Sequence, residues 1–170
     1  MKKLWCLTLA LVLAALSIPT VMAEENSTIY RIGDYLYTLQ FNGNARIIKY
    51  FGSASTLSIP DVLDGHTVTA IDNRAFSSCL SLTSVTIPDS ITSIGDRAFD
   101  FCFSLSSVTI PNSVTTIGDN AFDSCFSLTS IAIPNSVTDM GANPFRGCRN
   151  LTRIKVSSDH PAFATINGIL

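Results

Sequence analysis

From Leu82 the chain reads LTSVTIPDSITSIGDRAFDFCFS, and from Leu105 it reads LSSVTIPNSVTTIGDNAFDSCFS, with the same residue at 17 of 23 positions. A fixed internal period restricts a fold more than composition does, because one short unit must be able to stack on a copy of itself. The columns run beyond these two units. Leucines recur at Leu82, Leu105, Leu128 and Leu151, and prolines at Pro88, Pro111 and Pro134. Phenylalanines recur at Phe76, Phe99, Phe122 and Phe145, and cysteines at Cys79, Cys102, Cys125 and Cys148. An earlier unit opens near Ala54 with LSIP. Five extra residues around VLDGH separate its Pro60 from Val68, where the columns resume.

Each unit has the same grammar. Leu82, Val85 and Ile87 alternate with Ser84 and Thr86, the pattern of a short strand with one face inward. Pro88 ends that strand because it has no N–H for a ladder. Ile91 and Ile94 form a second extended pair, favoured by their β-branched side chains. Gly95 is expected to make a turn, and Asp96 to cap a single helical turn whose inner face carries Ala98, Phe99 and Cys102. One unit cannot fold alone. Ordering each of its residues costs about 1–2 kcal/mol, whereas burying each of its six or so large apolar side chains contributes roughly 1.5–3 kcal/mol. Stacking, which buries both faces of a rung, is what closes that gap.

The pattern LxxVxIPxxVxxIGxxAFxxCxx resembles the BspA-like class of leucine-rich repeats, over about residues 28–170. Ser90, Ser113 and Ser136 stand where the common leucine-rich consensus carries Asn or Cys, and the cysteine comes later, as in that class. The resemblance implies a β-rich solenoid of short parallel strands with brief helical turns, and a secreted or cell-surface protein that adheres to other proteins, such as host matrix or cell-surface components. A structural repeat module without a ligand of its own, related to longer arrays, is the alternative.

The ends differ from the repeats. Lys2 and Lys3, the apolar run Leu4–Leu16 and the small residues Val21 and Ala23 read as a signal peptide cleaved after Ala23. That run is short for a membrane span, and no later stretch is long and apolar enough to be one. Residues 24–53 contain Asn42-Gly43 between β-rich segments, a hairpin signal, and are expected to cap the array. Four repeat units occupy 54–150. Residues 151–170 supply a last strand and a partial cap, with a further turn at Asn167-Gly168. Either this is a minimal cap or the chain is a short relative of longer arrays.

Chemistry has few footholds. Without Lys2 and Lys3, nine basic residues face thirteen acidic ones, which gives no footprint for nucleic acid. His66 and His160 sit in turn-like segments with no nucleophile in view, so no catalytic residue, cofactor or metal site is expected. Stacked strands lie about 4.8 Å apart with parallel Cβ vectors, which suits neither a disulfide nor tetrahedral zinc. The repeated cysteines are therefore expected as free thiols acting as small hydrophobes.

Two exposed columns remain as candidate binding surfaces. The outward positions of the first strand are Ser84, Thr86, Ser107, Thr109 and Ser130, followed by Arg153 and Lys155. They are either a solubilising surface or a flat ligand face ending in positive charge. Leu80, Phe103 and Phe126, with Phe101 nearby, form an alternative apolar patch, unless their rings merely pack on one another.

Overall fold

The computed structural model describes residues 28–163. The signal-peptide reading (1–23) and the Asn167-Gly168 turn lie outside them. Each 23-residue unit supplies one rung of a stack with short strands along two sides. On the first side β4 (Thr56–Ser58), β7 (Ser84–Thr86) and β9 (Ser107–Thr109) pair in parallel as one ladder, and β11 (Ser130–Ile133) and β13 (Arg153–Val156) pair in parallel as a second, separate one.

On the second side one ladder joins β3 (Ala45–Tyr50), β6 (His66–Ile71), β8 (Ser93–Ile94), β10 (Thr116–Ile117) and β12 (Asp139–Met140) in parallel. Its other end continues antiparallel through β2 (Tyr35–Leu39) to β1 (Ile29–Ile32). The β2–β3 connection turns at Gly43, at φ 80°, where the Gly43 amide donates to the Gln40 carbonyl. The extra residues after Pro60 form β5 (Val62–Leu63), which pairs back on β6 as an antiparallel hairpin.

The core lies between the ladders. Leu82, Leu105 and Leu128, together with Ile94 and Ile117, are buried along its length. Phe76, Phe99, Phe122 and Phe145 form one column of stacked rings, with successive centroids 5.0, 5.3 and 5.8 Å apart. The four repeat cysteines, Cys79, Cys102, Cys125 and Cys148, are free thiols, as the register argued. Cys102, Cys125 and Cys148 each direct Sγ to the phenylalanine carbonyl of the preceding rung, at 3.1, 3.2 and 3.0 Å. Hydrogen bonding with the adjacent thiol, and then burial, pushes the Cys102 and Cys125 thiols up, so both stay protonated in the core.

The expected helical turn is not there: among the described residues no helix forms. Consecutive tight turns take its place, with the third residue of each in the left-handed region. Arg74, Arg97, Asn120 and Asn143 hold φ between 51 and 58°, and Ser78, Phe101, Ser124 and Gly147 between 56 and 70°. The reason is a third set of backbone bonds along the stack. Arg97, Phe99 and Phe101 donate their amides to Asp119, Ala121 and Asp123 of the next rung, at 2.8–2.9 Å, and Arg74, Phe76 and Ser78 do the same one rung earlier. Alternate peptides must lie along the stacking axis to make these bonds, and a helix would turn them inward on its own carbonyls.

Asp96 therefore has a different duty from helix capping. Its amide donates to Asn73 Oδ1 at 2.7 Å, and its Oδ1 accepts from the Asp119 amide at 2.9 Å. The Asp119 side chain in turn accepts from the Ala142 amide. Beside this ladder run Gly95, Gly118 and Gly141. Gly95 opens the turn that the Ala98 amide closes on its carbonyl, as expected, and all three glycines also let adjacent rungs touch. A Cβ on Gly118 would stand 2.6 Å from the Asp96 amide nitrogen and 2.7 Å from the Gly95 carbonyl carbon. Backbone is in the way on that side, and it cannot rotate aside. Gly118→Ala is accordingly expected to cost about 3 kcal/mol, measured by denaturant unfolding. A change under about 0.5 kcal/mol would show that the rungs are not in such close contact.

Candidate functional site

The first-side ladders align the outward residues in register. Ser84 pairs with Ser107, Thr86 with Thr109, Ser130 with Arg153 and Ala132 with Lys155. Thr56 and Ser58 extend the same columns one rung earlier, opposite Ser84 and Thr86; the sequence reading did not count them. Ser84 is half-buried and the other candidates are exposed. Val85, Ile87, Ile110, Ile131 and Ile133 fill the inner side. Alternation at period two is what divides the strands in this way.

The hydroxyls on this face differ from those beside it. Thr83, Ser106 and Thr152 donate to the Ser55, Thr83 and Thr129 carbonyls of the preceding rung. Ser84, Thr86, Ser107, Thr109 and Ser130 make no side-chain hydrogen bond among the described residues. Their hydroxyls are left to solvent or to a partner. Arg153 and Lys155 stand at one end of the face, but the two other basic residues near them in sequence go elsewhere. Arg149 lies over the Phe126 ring at 5.1 Å, and Arg146 lines a groove on the turn side.

The apolar column also assembles. Phe103 and Phe126 stack with centroids 4.8 Å apart and planes 4° from parallel, and Phe101 meets Phe103 edge to face at 6.1 Å. Leu80, Phe101 and Phe103 remain exposed, and Phe126 is half-buried. The rings thus pack on one another and still present apolar surface. This column is separate from the buried Phe76–Phe145 stack, and the two differ in what they support.

Neither histidine is placed for chemistry. His160 is buried: its Nδ1 accepts from the Ala162 and Phe163 amides at 3.1 and 3.2 Å, which makes Nε2 the donor to the Pro134 carbonyl at 2.9 Å. His66 contacts the Gly43 carbonyl through Nδ1 at 2.8 Å. Among the described residues no group of three His, Cys, Asp or Glu could hold a metal ion, and no helix is long and apolar enough to cross a membrane.

Sequence reasoning missed the turn-side groove. Arg74, Arg97, Arg146, Asp100 and Asp123 line it, together with Phe101. A signal was present, since Arg74/Arg97 and Asp100/Asp123 are each 23 residues apart. Reading the segment as a helical turn scattered those side chains around an axis instead of aligning them on one side.

The two phenylalanine columns give a direct contrast. Phe99→Ala should cost about 3–5 kcal/mol as a core truncation. Phe103→Ser and Phe126→Ser should each cost about 1 kcal/mol or less, because most of what they lose is a surface stacking contact. Equal, large losses from all three in denaturant unfolding would place the second column in the core.

The described geometry can be set beside known proteins. The BspA type leucine-rich repeat region matches residues 46–166, in six copies. No curated protein matches the chain in sequence. A leucine-rich repeat protein from Bacteroides capillosus is 35% identical, with a TM-score of 0.69 over 76% of this chain and 99% of that one. The T. pallidum leucine-rich repeat protein is 28% identical, with a TM-score of 0.61 over 71% of this chain and 68% of that one. A leucine-rich repeat protein from Bacteroides ovatus is 25% identical, with a TM-score of 0.61 over 74% of this chain and 40% of that one. Columns at a 23-residue period, stacked parallel strands and the match over most of the length lead to one assignment: the chain belongs to the BspA-type leucine-rich repeat family.

Proposed function

We propose that the chain is an exported, non-enzymatic binding protein whose first-strand face engages a protein partner, a matrix or cell-surface component. Residues 1–23 direct export, 24–53 cap the array, 54–150 form the repeat body and 151–170 supply a last strand and a partial cap. The observation that carries the reading is the row of outward hydroxyls without internal partners among the described residues, Ser84, Thr86, Ser107, Thr109 and Ser130, next to the Thr83, Ser106 and Thr152 hydroxyls, which are bonded into the stack. Rigid parallel ladders present them as one extended surface, so a partner meets them without ordering the chain first. Arg153 and Lys155 add positive charge at one end of it and steer an acidic partner there.

The test is binding of the mature chain to a panel of immobilised extracellular-matrix and cell-surface proteins. Replacing Arg153 and Lys155 together by Ser should weaken binding most at low salt, where exposed charges are least screened. The melting temperature should hardly change, since neither residue has a buried partner. A bound protein whose affinity and salt dependence ignore the double substitution would remove this face, and sensitivity to Phe103→Ser and Phe126→Ser instead would move the site to the aromatic column.

A further inference from the structure

The sheet along the second side of the stack ends at β1, and no strand among the described residues pairs with the outer side of β1. A free edge of this kind is a template for another strand, and folds usually blunt it with short strands, charge or proline. Other ladder ends show these devices. β12 is two residues long and carries Asp139, β4 and β9 are three residues long, and β13 displays Arg153 and Lys155. β1 has four residues, Ile29-Tyr30-Arg31-Ile32, and all are exposed, Ile29 at 60%, Tyr30 at 39% and Ile32 at 36%. Its one charge is turned onto its own chain. The Arg31 guanidinium lies 5.9 Å from the centre of the Phe51 ring, and its Nε donates to the Gly33 carbonyl.

The backbone of β1 sets what can pair there. Ile32 and Tyr35 close a two-residue turn through Gly33 and Asp34, so the peptide groups of Ile32 bond to β2. Bonding direction alternates along an antiparallel strand. Tyr30 therefore bonds toward β2 as well, and the N–H and C=O groups of Ile29 and Arg31 point to the free side.

We propose that β1 pairs antiparallel with β1 of a second copy, about a two-fold axis at Tyr30. The strand is complementary to itself in that register. Ile29 of each copy meets the partner's Arg31, and each of these two pairs exchanges two backbone hydrogen bonds. All the outward peptide groups of β1 are then satisfied. Tyr30 stands opposite the partner's Tyr30 in a closely spaced, non-hydrogen-bonded pair, where aromatic side chains favour cross-strand contact. Each Tyr30 already stacks on the buried Tyr37 at 5.2 Å, so pairing joins four rings across the axis. An axis at Arg31 would instead set like charges opposite each other. β1 is the first strand in the sheet order, so the second copy arrives end-on and meets no later rung. Two four-residue strands make a contact below the roughly 1,200 Å² of stable complexes, which gives a reversible dimer with a Kd of about 10–100 μM. The pairing is independent of what the first-strand face binds, and it puts two copies of each outward face on one particle.

The test is sedimentation velocity of the mature chain, which should be mainly monomer at about 2 μM and mostly dimer at about 500 μM. Ile29→Pro should weaken the association at least tenfold. Proline at the first position of a strand removes an outward N–H and no bond to β2. Thiol crosslinking tests the register separately. In the proposed pairing Tyr30→Cys sets two Cα atoms about 4.5 Å apart, within disulfide reach, whereas Ile29→Cys sets them roughly 8 Å apart. Under mild oxidation Tyr30→Cys should form a covalent dimer at least tenfold faster than Ile29→Cys. A mature chain that stays monomeric at the upper concentration overturns the proposal, whether residues 24–27 or another protein's strand is the true occupant of the edge. So does an Ile29→Pro protein that associates like the parent, or an Ile29→Cys protein that crosslinks as fast as Tyr30→Cys.

Discussion

The backbone of each rung finds its hydrogen-bond partners in the rungs beside it, and that single constraint governs the rest of the molecule. Buried amides and carbonyls must be paired, and units this short hold few partners of their own. Three sets of bonds run along the stack: the strand ladders of its two sides and the row of turn peptides from Arg74 to Ser124. All three require every rung to place the same atom at the same height. Identical residues at a 23-residue spacing are the consequence, from the stacked rings at Phe76, Phe99 and Phe122 to the Asn73–Asp96–Asp119 ladder. Gly95, Gly118 and Gly141 belong to the same logic, since the rungs come too close there for a Cβ.

A stack of this kind builds surface as columns. Where a column repeats, as along Ser84 and Ser107, it makes an extended and uniform face. Where it breaks, it makes a local site. Arg153 and Lys155 interrupt the hydroxyl face with charge. Phe101 interrupts the turn face with an exposed ring where the neighbouring rungs carry Ser78 and Ser124. The fold tolerates these changes because the backbone ladders, rather than the outward side chains, hold the rungs together. Family membership accounts for the frame, and departures from the repeat set this chain's outward surface apart.

Much of the frame was legible in the sequence. Alternation at Leu82–Ile87, the proline stops and the phenylalanine and cysteine columns all correspond to observed strands and core, because burial at period two leaves a residue-by-residue trace. The turn segment was misread. Asp96 looks like a helix cap, yet it bridges to the next rung, and Gly95, besides opening the turn, permits close rung contact. The left-handed positions gave no warning, since Arg97 and Phe101 are not residues that propensity assigns there. Side-chain pairing at a distance of one whole unit is invisible to local rules, so the groove was missed along with the turns that form it. The outward strand column, Ser84 to Lys155, was legible because a strand's two faces are separated by parity alone, and the Leu80–Phe126 column, which lies in turns, only because its residues recur every 23 positions.

Removing one whole rung tests the governing constraint most directly. Deletion of residues 82–104 joins Ser81 to Leu105 and leaves every column in register, whereas deletion of 82–103 shifts everything beyond the junction by one residue. If register between rungs carries the fold, the first shortened chain should keep its β-sheet circular dichroism and unfold cooperatively at a reduced denaturant midpoint, and the second should lose cooperative unfolding. Equal stability of the two deletions, or collapse of the in-register one alone, would contradict it.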